Sequence, residues 1–130
     1  MKNVIPTPYE AIPPLVQMTE FHLLRTYTIT WPLDDTPSPN DLGVPVFQTF
    51  SVEMTGDFGY GDIVAKIVSL KYSESDVTAI SLNYLNSEFV DAAKRSEYID
   101  EYLELQDWRQ KAKAIAKEAL QFCKEHDWID

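Results

Sequence analysis

The segment Val46-Phe-Gln-Thr-Phe-Ser-Val-Glu-Met-Thr55, continued by Gly56-Asp-Phe-Gly-Tyr-Gly-Asp62 and Ile63-Val-Ala-Lys-Ile-Val-Ser-Leu-Lys71, decides the fold class. In its first part Val46, Phe50, Val52 and Met54 share one side of an extended chain, and Phe47, Thr49, Ser51 and Glu53 share the other. Past the glycines, Tyr60, Ile63, Val64, Ile67, Val68 and Lys71 recur at helical spacing, with Asp62 near the positive end of that helix. The period changes from two to 3.6, so strands give way to helices and the class is α+β.

Toward the N-terminus, Phe21 to Trp31 alternates, with Phe21, Leu23, Tyr27, Ile29 and Trp31 on one side and His22, Thr26, Thr28 and Thr30 on the other. This predicts a half-buried strand over 21–31, with Leu24 and Arg25 marking a bulge or an edge. Residues 32–43 are so dense in turn formers that a long loop without regular elements is expected. The two strands, 21–31 and 46–55, form an antiparallel pair or a small sheet. All eight prolines lie in the first 45 residues, and residues 1–14 read as a Pro-rich extended arm that drapes over the body or stays loose. The division is a β region over 15–58 and a helical region over 59–130 of a single domain.

Toward the C-terminus, Ser73-Glu-Ser-Asp76 reads as a helix cap, and Val77, Ile80, Ser81 and Tyr84 share a helical face. Thr78, Ile80, Leu82 and Tyr84 fit a strand as well, so 76–86 stays open between the two. From Ser96 to Asp130 there is neither proline nor glycine, and Ala, Glu, Lys, Leu and Gln dominate, which predicts one long helix. Along it Leu105, Trp108, Ala112, Ile115, Ala119 and Phe122 recur at 3-4-3-4-3 spacing. One reading packs this stripe across the sheet and the two shorter helices. The other makes it a self-association seam, because Ala112 and Ala119 permit close helix approach.

With 21 acidic and 11 basic residues the chain carries a net charge of −10, which repels phosphate backbones and argues against nucleic acid as a partner. No apolar run approaches a membrane span, and the first residues lack the apolar core of a secretory signal, so a cytoplasmic location with no membrane association is expected. The single cysteine, Cys123, reads as a small semi-buried helical residue.

No catalytic, cofactor-binding or metal-ligating constellation emerges. The loop residues Asp34, Asp35, Asn40 and Asp41 have oxygen-ligand chemistry but not the spacing of a calcium loop. Asp57-Phe58-Gly59 lacks every other kinase element, and the flanking Asp57 and Asp62 oppose an anion. Gly56, Gly59 and Gly61 are read as a connection needing positive backbone angles. His22 and His126 both read as solvated.

Asp62-Ile-Val-Ala-Lys-Ile-Val-Ser-Leu-Lys-Tyr-Ser-Glu-Ser-Asp-Val-Thr-Ala-Ile-Ser-Leu-Asn-Tyr-Leu85, followed by Leu105-Gln-Asp-Trp-Arg-Gln-Lys-Ala-Lys-Ala-Ile-Ala116, resembles small uncharacterised proteins of bacterial prophages and other mobile elements. Their first helix ends in a Lys-Tyr-Ser-like turn and a later one carries an aromatic-Arg-x-x-Ala-Lys pattern. The resemblance covers residues 62–85 and 105–116 only; it implies a genomic setting and no activity.

The expectation is a non-enzymatic structural or protein-interaction protein, without cofactors, that contacts a protein partner or itself as a homo-oligomer. The alternative is a small-molecule or peptide-binding module with its pocket between strands and helices.

Overall fold

A computed structural model of the chain describes residues 6–34 and 36–129, so the first five residues of the arm, loop residue Asp35 and the terminal Asp130 lie outside it. The elements are β1 (Thr7–Tyr9), β2 (Val16–Phe21), β3 (Leu24–Pro32), β4 (Ser38–Pro39), β5 (Pro45–Thr55), α1 (Tyr60–Lys71), α2 (Glu74–Leu85), a 3-10 turn (Ser87–Phe89) and α3 (Ala92–Glu125). The fold is α+β: an antiparallel open sheet followed by three helices, the last long and C-terminal. Strand order is β1-β5-β3-β2, and β4 pairs with the start of β5.

The register sets Tyr27 opposite Met54, Ile29 opposite Val52 and Trp31 opposite Phe50. Because side chains alternate, these residues face the helices, and their neighbours Thr28, Thr30, Ser51 and Glu53 occupy the other face. Ile63 and Ile67 of α1, Leu105, Ala112 and Ala119 of α3, and Tyr72 between α1 and α2 close the core from the helical side.

The strand predicted over 21–31 starts later and has a partner that the alternation hid. His22 (φ 48°) and Leu23 (φ 69°) form a two-residue turn with both angles positive, the geometry that matches strand twist in tight hairpins. Phe21 and Leu24 close the hairpin, so β2 pairs with β3, and the break at Leu24 and Arg25 is a hairpin exit rather than a bulge. The turn flips side-chain parity, which leaves Phe21 and Leu23 exposed instead of beside Tyr27 and Ile29.

Within the arm, Thr7 pairs with Thr49, whose hydroxyl donates to the Thr7 carbonyl at 3.0 Å, and Thr7–Tyr9 forms the edge strand β1 beside β5. The loop expected to be without elements contains the short β4, and Asn40 shapes its turn by accepting from the Leu42 and Val44 amides at 2.9 and 3.0 Å.

Residues 76–85 are helical. Ser73 and Asp76 exchange hydrogen bonds at α2's start, Ser73 Oγ accepting from the Asp76 amide at 3.1 Å and Asp76 Oδ2 accepting from the Ser73 amide at 3.0 Å. Helix α3 begins four residues before Ser96, capped by Asp91, which accepts from the Lys94 amide at 2.8 Å. It ends at Glu125 rather than Asp130. Asp127 (φ 56°) turns the chain, and the amides of Asp127 and Trp128 donate to the carbonyls of Lys124 and Cys123. The tail then folds back, where Tyr27 Oη donates to the Trp128 carbonyl at 3.3 Å. Among the described residues no helix is long and apolar enough to cross a membrane.

Candidate functional site

Of the six stripe residues on α3, Leu105, Trp108, Ala112 and Ala119 are buried in the chain's own core, while Ile115 and Phe122 are half-buried and flank it. Ala116 and Cys123 take the positions that strict heptad spacing assigned to Ile115 and Phe122. A straight helix has 3.6 residues per turn, so a stripe read at 3.5 drifts about 20° per heptad and the buried line moves on by one residue. Trp108 is fixed further, its Nε1 donating to the Ile67 carbonyl at 3.0 Å. Burial lifts the Cys123 thiol above its ordinary pKa, which disfavours the reactive thiolate.

Exposed large apolar side chains lie at the β2–β3 hairpin tip, on the loop at Leu42, and on α2, the 3-10 turn and α3. Every residue of α2 keeps solvent contact, and only its Val77 and Ile80 reach the core as half-buried side chains. Leu82, Leu85, Phe89 and Leu103 are 52%, 68%, 77% and 58% exposed. These are not frayed positions. The rings of Tyr84 and Tyr102 stack at 3.9 Å and 10°, and Arg95 donates to the carbonyls of Ser87 and Glu88 at 3.1 and 3.2 Å, fixing the turn that carries Phe89.

Concavities lie along the sides of α2. An open groove of about 800 Å³ runs between the end of β5, α1 and α2, with Met54, Phe58, Val68 and Tyr72 among its walls. A notch of about 310 Å³ lies between α2 and α3, lined by Tyr72, Asp76, Ala79, Ile80, Asn83, Glu101 and Glu104. Tyr72 is only 1% exposed, yet its hydroxyl has no hydrogen-bond partner among the described residues. Burial first, then the nearby carboxylates of Glu104, Asp76 and Glu101, raise the phenol's pKa and hold it protonated. No spacing in the sequence links Tyr72 to Glu101 and Glu104; only the antiparallel approach of α2 and α3 brings them together.

The other sequence candidates are spread apart. His22 sits at the hairpin tip beside Phe21, and His126 stacks on Phe122 at 4.2 Å. Asn40 is consumed by its own turn, and among the described residues no three acidic, histidine or cysteine groups converge to hold a metal ion. Of the three connecting glycines only Gly56 (φ 69°) has a positive backbone angle; Gly59 precedes α1, its amide donating to Asp62 at 2.8 Å, and Gly61 lies within the helix. Compared with protein-family models, curated proteins and solved structures, the chain matches none.

Proposed function

We propose that the chain is a non-enzymatic interaction protein, working in the cytoplasm, that docks a basic partner protein over the α2 end of its helical layer. The observation that carries this is α2 itself: a capped helix whose residues all retain solvent contact, carrying Leu82 and Leu85 and neighboured by Phe89 and Leu103, all four more than half exposed. Large apolar side chains left in solvent on neighbouring elements are what partner-binding faces present, and soluble chains otherwise keep such surface small. Charge supplies the partner's sign. Residues 74–107 hold nine acids against Lys94 and Arg95, so a second copy docked about a two-fold axis would set like charges against each other, whereas a basic surface is attracted.

Selection of random displayed peptides on the immobilised protein tests the reading. The expected winners combine Lys or Arg with Leu, Phe or Trp, and lose binding to Leu85→Glu and Phe89→Glu while keeping it for Leu42→Glu, an exposed position on the distant loop. Winners that bind the first two variants as tightly as the unaltered protein would overturn it.

A further inference from the structure

We propose that the partner element docking on α2 is an amphipathic helix laid antiparallel to it, with apolar side chains in its first turns and Lys or Arg in its last. The inference rests on the docking reading for the site; it adds the element, its direction and the order of its residues.

The outer face of α2 is the first reason. Ser75, Thr78, Leu82 and Leu85 follow at i, i+3, i+7 and i+10 and so share one side of the helix. A shallow hollow of about 450 Å³ runs along that side from Glu74 and Ser75 to Leu82, with the small Thr78 and Ala79 between them. Small side chains between larger ones make a furrow that the ridge of another helix enters, and helices that dock in this way are read at the same i, i+3, i+7 spacing. An extended segment gains its hold from an open sheet edge, which α2 does not offer.

Charge and apolar surface are separated along the axis of α2. Its C-terminal end is apolar, with Leu82 and Leu85 exposed and Phe89 just beyond. Both cations of residues 74–107 belong to this end: Arg95 donates to the carbonyls of Ser87 and Glu88, and Lys94 precedes it, 3.7 Å from Glu97. The N-terminal end is acidic. Glu74 opens the helix, and Glu101 and Glu104 of α3 lie beside Asp76 and Ala79. Among the described residues none of these three glutamates pairs with a lysine or arginine. The rise from Glu74 to Leu85 is roughly 16 Å, at about 1.5 Å per residue, so a fitting partner keeps its cations about that far from its apolar anchors.

Direction follows from the helix dipoles. A helix is partly positive at its N-terminus and partly negative at its C-terminus, so two helices side by side attract when antiparallel, and Lys or Arg is favoured in a last turn. An antiparallel partner brings its last turn to Glu74 and its first turns to Leu82, Leu85 and Phe89. A parallel partner would need its cations in its own first turn, against its dipole.

Two helical peptides of equal composition test this, one with Leu and Phe at i, i+3 and i+7 of its first turns and Lys in its last, the other with the order reversed. Titrated with the full chain and followed by fluorescence anisotropy, the first should bind about tenfold more tightly. Glu74→Gln combined with Glu101→Gln should narrow that preference, because it removes the acidic end while leaving the apolar one. A nitroxide at the N-terminus of the first peptide should broaden the amide signals of Leu85 and Phe89 and spare that of Glu74. Equal affinity of the two peptides, no binding by either, or broadening centred on Glu74 would overturn the inference. Peptides that bind equally but lose binding to Leu85→Glu would sink the order and direction alone. Oriented binding that ignores Leu85→Glu and Phe89→Glu would sink the docking reading instead.

Discussion

Asp127 occupies a left-handed backbone conformation at φ 56° and turns the chain at the end of α3. Glycine adopts this angle without the clash that a β-carbon brings, so Asp127→Gly should raise stability by about 0.5 kcal/mol, measurable as a higher midpoint in urea. A lower midpoint would show that the aspartate side chain contributes more than its strain costs. Nothing in Glu125-His-Asp-Trp128 carries a glycine or proline signal, which is why a helix running to the terminus was the natural reading. His22 and Leu23 carry no signal for the same reason: a tight hairpin is normally announced by Asn-Gly or Asp-Gly, and here two ordinary residues adopt the positive angles. Tyr72 was hidden differently, because its unpaired hydroxyl depends on three elements meeting and has no local signature.

The caps were legible because they are local chemistry. Ser73 and Asp76 lie three residues apart and satisfy each other's amides, as a Ser-x-x-acid sequence leads one to expect. Helix α2, thinly packed, depends on this cap more than α1 or α3 do on theirs. Ser73→Ala should therefore cost about 1 kcal/mol, appearing as faster amide hydrogen exchange in Glu74–Leu85 with slow exchange retained in α3. Uniformly faster exchange in both helices would contradict this local dependence. The same pair predicts a pH effect. The Ser73 backbone amide, then its hydroxyl, hold the Asp76 carboxyl below its ordinary value of 3.8. A carboxylate with a lowered folded pKa contributes stability that is complete above that ordinary value and disappears as pH falls through the folded one. Protection of α2 amides should accordingly drop on acidification below pH 3.8, and Asp76→Asn should flatten that part of the profile.

Across the whole molecule, the change of period after Thr55 was enough to read that strands precede helices, since each element's pattern is set by neighbours in sequence, although β1, β2 and β4 carried too little pattern to be read. The interaction surface was not readable in that way. A stripe of apolar residues at near-heptad spacing looks the same whether a helix lies on its own sheet or on another chain, and only the tertiary structure shows that the sheet, α1 and Tyr72 already cover it. This separates two residues that the sequence treats alike. Trp108→Glu puts an unpaired charge into the core and removes the hydrogen bond to the Ile67 carbonyl, a loss of at least several kcal/mol that should leave the chain unfolded by circular dichroism. Ile115→Glu acts at a half-buried flank where a longer side chain can reach water, so it should stay folded with stability lowered by about 1–2 kcal/mol. Light scattering at several concentrations should give the same mass for Ile115→Glu as for the unaltered chain. If instead both variants fold and an assembled form falls to a monomer, α3 is an interface between copies, and the acidic end at α2 loses its standing as the place where a partner docks.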